Sequence, residues 1–95
     1  MPDDAGLELL RLLAVVEQEL QATRETLAKL KRSEVEWQLV NYQYQQLQIA
    51  EECFNAAIAA HNAQQYHERD TLRVRGEHHL IRFFGGWSRF EDELN

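Results

Sequence analysis

The chain has 95 residues, 44% hydrophobic and 27% charged, with four glycines, one proline, one cysteine and a net charge of −6. That length gives one domain. The composition excludes an intrachain disulfide, an apolar run of the ~20 residues that a membrane span needs and, with so few turn formers, a turn-rich all-β fold.

No Gly or Pro occurs between Gly6 and Gly76, so sixty-nine residues run without a breaker and read as helix. A first helix is expected over about 4–32, opened by Asp3 or Asp4, whose carboxylate can cap the first free amides. Leu9, Leu13, Val16, Leu20, Thr23, Leu27 and Leu30 recur at alternating spacings of four and three, which makes one narrow stripe. Arg11, Gln18, Glu25 and Lys29 lie opposite. Such a stripe is the seam of a coiled coil or of a two-helix contact. Leu7, Leu10 and Leu12 widen the apolar surface, so this end is expected to be the more buried one.

Lys29, Lys31 and Arg32 then cluster, as suits a helix C-terminus. Ser33 and Glu36 spell an S-x-x-E capping box, which predicts a break at Arg32–Ser33 and an antiparallel hairpin. The rival is one unbroken rod, because the four-three pattern carries on through Ser33, Trp37, Val40, Tyr44, Leu47, Glu51, Phe54 and Ile58.

A second helix is expected over about 34–75. Trp37, Val40, Tyr44, Leu47, Phe54, Ile58 and Tyr66 cover one side, and Leu39, Tyr42, Ile49, Ala50, Cys53, Ala57 and Ala60 cover roughly the other. A helix that is apolar on two sides has two neighbours. The first helix supplies one, and the second is either the C-terminal segment or another chain. Such a helix would also overhang the first by about ten residues. Gly76, after Arg73 and Arg75, fits a left-handed helix cap. A C-terminal cap over 77–95 follows, with a short helix to Phe84, a Gly85–Gly86 hinge and a last stretch over Ser88–Leu94. A strand hairpin of Thr71–Arg75 with His79–Phe83 is the alternative.

Charge is unevenly placed. Residues 1–68 hold eleven acids against five bases, whereas 69–89 hold Arg69, Arg73, Arg75, Arg82 and Arg89 against Asp70 and Glu77. Glu91, Asp92 and Glu93 close the chain. Acidity overall disfavours general nucleic-acid binding, which rests on Lys and Arg.

Residues able to carry chemistry are few. His61 and His67 are six apart, and His78 and His79 diverge, so no pair has the helical spacing of metal ligands. Cys53 among alanines behaves as a small apolar residue. Glu51 and Glu52 have no second catalytic group beside them, and Gln38, Gln43, Gln45, Gln46 and Gln48 suit a solvated or hydrogen-bonding surface. No catalytic constellation, cofactor cradle or metal site is expected. No secretory leader is expected either, since Pro2, Asp3 and Asp4 stand where one carries basic residues. With a lone cysteine, this points to the cytoplasm.

The most unusual stretch is Arg82–Phe90, which holds four of the nine aromatics around a glycine pair. Trp, Phe and Arg are frequent binding anchors, and the other reading of the stretch is an apolar plug that folds back on the overhang of the second helix. The expected fold is therefore all-α: a long coiled-coil-like hairpin with an aromatic C-terminal segment, dimerised into a bundle through the second helix. The expected role is a non-enzymatic adaptor, accessory or inhibitory subunit that binds a protein partner through Trp37, Tyr44, Phe54, Arg82, Phe83, Phe84, Trp87 and Phe90. One alternative is a nucleic-acid accessory protein using Arg69, Arg73, Arg75, Arg82 and Arg89. Another is a small acidic inhibitor that fills the basic groove of a nucleic-acid enzyme.

Overall fold

The computed structural model describes residues 4–86. They form three helices: α1 (Asp4–Lys29), α2 (Val35–Asn62) and α3 (Tyr66–Gly85). The chain is all-α, and none of the described residues forms a strand, so the alternative hairpin over 71–83 is absent.

In α1 the apolar stripe does what its spacing implies. Leu9, Val16, Leu20 and Thr23 are buried, and Leu13, Leu27 and Leu30 are half-buried beside them. Toward the N-terminal end Leu9 is fully buried and Leu12 packs against the core, but Leu7 and Leu10 stay 48% and 55% exposed. Leu7 lies about 170° around the helix from the Leu9–Val16 line, and Leu10 about 110°. A helix covered along one narrow side cannot bury both.

Residues 30–34 are non-helical, so the chain turns and the rod is excluded. The Leu30 N–H donates to the Leu27 carbonyl and the Glu34 N–H to the Lys31 carbonyl. The S-x-x-E box does not form. Glu34, not Ser33, is the N-cap of α2, and it makes no side-chain capping bond. Ser33 lies inside the turn, one residue too early to cap.

The second helix ends at Asn62, not near residue 75. Its C-terminus is a Schellman motif. The Gln65 N–H donates to the Ala60 carbonyl at 2.8 Å and the Gln64 N–H to the His61 carbonyl at 3.0 Å, with Gln64 left-handed at φ 61°. Glycine usually fills that position, and its absence here hides the break from the sequence. The chain then folds back as α3, antiparallel to α2. Residues that looked like an overhang cover the second side of α2 instead.

Gly76 therefore does not cap a helix. It sits buried in mid-α3, where an added Cβ would lie 2.6 Å from Cε1 of Phe54. The glycine is there so that α3 can approach the Phe54 ring. The real end of α3 is Gly86, at φ 56°, whose N–H reaches the Arg82 and Phe83 carbonyls. The Gln43 side-chain amide donates to the Phe83 carbonyl at 3.1 Å and so tethers this last turn to α2. The expected stretch over Ser88–Leu94 lies outside the described residues.

Leu9, Val16 and Leu20 of α1, Leu47, Ala50, Phe54 and Ala57 of α2, and Leu80 and Phe83 of α3 make one core. Helix α2 lies between the other two and packs against both, while α1 and α3 scarcely meet. The result is a flat body of 50 × 28 × 17 Å. Its radius of gyration is 14.9 Å, against about 12 Å for a compact domain of this size. Among the described residues, every buried side-chain nitrogen and oxygen has a hydrogen-bond partner.

Candidate functional site

The expected partner anchors separate by burial. Phe54 is fully buried, and Phe83 lies in the same core. Both are spent on holding α1, α2 and α3 together and cannot also meet a partner. Trp37 is half-buried at the start of α2, with the Arg32 guanidinium 5.5 Å from its ring centre. Tyr44 packs half-buried against the core, and its hydroxyl accepts a 3.3 Å hydrogen bond from Arg24 Nε. Of the expected anchors among the described residues, Phe84 is the one open aromatic, 64% exposed and edge-on to Phe83 at 5.0 Å. Arg82 is on the surface beside it. Trp87, Phe90 and Arg89 lie outside the described residues.

Phe84 does not stand alone. Val74 and Ile81 are 41% and 54% exposed, one two-turn step apart on α3. At 100° per residue the three fall within about 80° of one another. This line is centred about 120° around α3 from the buried Gly76, Leu80 and Phe83, with Phe84 about 40° from Leu80. Sequence reading missed Val74 and Ile81, although an apolar pair at i and i+7 in an otherwise polar stretch was the available signal.

Of the four described arginines of the set, two are engaged inside the molecule. The Arg69 side chain is 14% exposed and stacks 4.8 Å from the Tyr66 ring centre. Its Nε donates to Asp70 at 2.9 Å, and its Nη1 donates to His61 Nδ1 at 3.0 Å. An arginine can only donate, so the His61 nitrogen is the acceptor. The hydrogen bond from Arg69 Nε to Asp70 holds the Asp70 carboxyl below the usual range. Arg73 pairs with Glu77 at 2.8 Å.

His61 is packed at the junction of all three helices. Its ring lies against Gly6 of α1 and 5.8 Å from the Tyr66 ring of α3. His79 Nδ1 donates to the buried Gln46 Oε1 at 2.7 Å. Together with His61, therefore, Gln43 and Gln46, which the sequence suits to a solvated or hydrogen-bonding surface, tie α3 to α2. Their place on the Tyr42, Ala50 and Cys53 side of α2 was the sign. No group of three or more His, Cys, Asp or Glu able to hold a metal occurs among the described residues.

Cys53 is buried. Burial pushes its thiol up; Arg75 opposes this and Glu52 adds to it. Glu51 is half-buried at a polar recess shared with Glu17, Gln21, Arg24 and Glu25. A second recess of about 510 Å³ lies between Gly6, Leu7, Leu9 and Leu10 of α1 and Ile58, His61 and Asn62 of α2. It spans one helical turn and has no Asp, Glu, Lys or Arg in its wall, so it suits a compact apolar group.

No helix among the described residues is long and apolar enough to cross a membrane. Comparisons with family models, with curated proteins and with solved structures find no match to the chain.

Proposed function

We propose that the protein is a non-enzymatic helical interaction module that binds another protein through the outer side of α3. The observation that carries this reading is the line of Val74, Ile81 and Phe84, 41%, 54% and 64% exposed on one side of one helix. Apolar groups that share an outer face while the core is complete mark a contact surface. Arg75, His78 and Arg82 border the line, and arginine beside an aromatic is a frequent hot-spot pairing.

Dimerisation through α2 loses its original motive, because α3 occupies the side a second chain was expected to cover. A second copy remains one possible occupant of the α3 line, as an outcome of the test. The experiment is Ile81→Asp combined with Phe84→Asp. Both positions are exposed, so circular dichroism should match the parent. Co-purification from the native source, quantified by mass spectrometry, should lose a defined partner in the variant. Sedimentation velocity checks the self-contact. An unchanged set of co-purifying proteins and unchanged sedimentation would refute the reading.

A further inference from the structure

We infer that two copies of this chain can exchange α3, each copy's α2 and α3 joining into one continuous helix. The reason lies in residues 63–65. No Gly or Pro separates the two helices. The left-handed Gln64 and the non-helical Gln65, at ψ 71°, turn the chain, and Gln64 is the one non-glycine described residue with positive φ. A side chain there crowds the backbone, and alanine and glutamine are good helix formers. Returning Gln64 and Gln65 to the right-handed helical region removes that strain and adds helical hydrogen bonds.

Straightening alone uncovers Ala50, Phe54 and Ala57 on α2 and Leu80 and Phe83 on α3, all core residues. Apolar surface of that kind does not stay in water. The α3 of a second copy is the occupant already shaped for it. The contacts Gln46 with His79, Gln43 with Phe83, Phe54 with Gly76 and His61 with Arg69 are all antiparallel. Each is centred within two residues of Gln64. Two straightened helices that cross at Gln64 therefore remake all four between chains, as domain swapping requires. Ala59, Ala60 and Ala63 at the crossing have small side chains. Val74, Ile81 and Phe84 stay outward in both forms, so this inference does not depend on the partner surface.

Concentration and the backbone at position 64 decide which form prevails. The tether favours the closed monomer until protein concentration approaches its effective concentration, on the order of millimolar. The test compares the wild type with Gln64→Gly and Gln64→Ala, each refolded at up to roughly 1 mM and sized by light scattering. Glycine relieves the turn and favours the monomer, whereas alanine favours the straight helix and the dimer. With two hinges per dimer, the dissociation constants should differ by at least about a hundredfold. A second measurement places cysteines at Gln46 and His79 in a Cys53→Ala background. Exchange predicts that oxidised dimers are linked between chains. The inference is overturned by monomers in all three proteins throughout, by equal constants for the two variants, or by dimers whose link stays within each chain.

Discussion

Gly76 and Phe54 are matched as a space and its filler: Cε1 of the buried ring lies 2.6 Å from where a Cβ at position 76 would sit. Cδ1 and Cζ are also within 3.0 Å. Phe54 is fully buried, so its ring has no open space to swing into.

Gly76→Ala should consequently destabilise the fold. Alanine gains about 1 kcal/mol of helix propensity over glycine, but overpacking a full core costs typically 1–3 kcal/mol, and a clash with three ring atoms belongs at the upper end. A net loss of about 1–2 kcal/mol should lower Tm by several degrees in a domain of this size. Adding Phe54→Leu should recover part of it, so the double variant falls short of the sum of the two single losses. Thermal unfolding of the four proteins measures this.

Gln46 and His79 should behave as a coupled pair. Removing His79 takes this hydrogen bond from the buried Gln46, at a cost of about 1–3 kcal/mol, and removing Gln46 should cost less, because His79 is half-buried. Replacing both should cost less than the two losses together. A double-mutant cycle in urea reads the coupling, and strict additivity would show that the 2.7 Å contact contributes nothing.

Position 64 should respond to glycine in the opposite sense from position 76. At micromolar concentration, Gln64→Gly keeps the Schellman hydrogen bonds and removes the side-chain crowding of the left-handed backbone. Stability should rise by roughly 0.5–1 kcal/mol, seen as an increased urea midpoint with an unchanged slope.

The raised thiol of Cys53 gives a reactivity prediction. Labelling by a disulfide reagent at neutral pH should be at least about tenfold slower in the native protein than in urea. The sign of the pH effect follows from the direction of the shift. A folded-state value above the unfolded one leaves stability intact below the unfolded value, about 8.5. Stability is then lost as pH rises through the folded value. Cys53→Ala should remove this alkaline component.

Legibility in the sequence followed the kind of signal each element carries. The α1 stripe was readable because one neighbour along one side leaves a clean period. The two-sided character of α2 was readable for the same reason, although the identity of its second neighbour stayed open. The α2–α3 turn was hidden because its left-handed residue is a glutamine, and the polar run His61–Gln65 was the only trace of it. Gly76 misled because a glycine that ends a helix and one that admits a ring look alike in a string. Aromatic content alone does not distinguish a core from an anchor, so Phe54 and Phe83 were open to both readings, and both lie in the core. Phe84, one residue beyond Phe83, is exposed because α3 continues through Gly76 and sets it about 100° further around the helix.

The middle position of α2 has a consequence for how the molecule breathes. It is built as two overlapping hairpins that share one strut, and the outer helices scarcely touch. Either outer helix can therefore lift away while the seam of the other stays closed. Amides of α1 and α3 should exchange with solvent through separate partial openings, and those of α2 only when the whole structure comes apart.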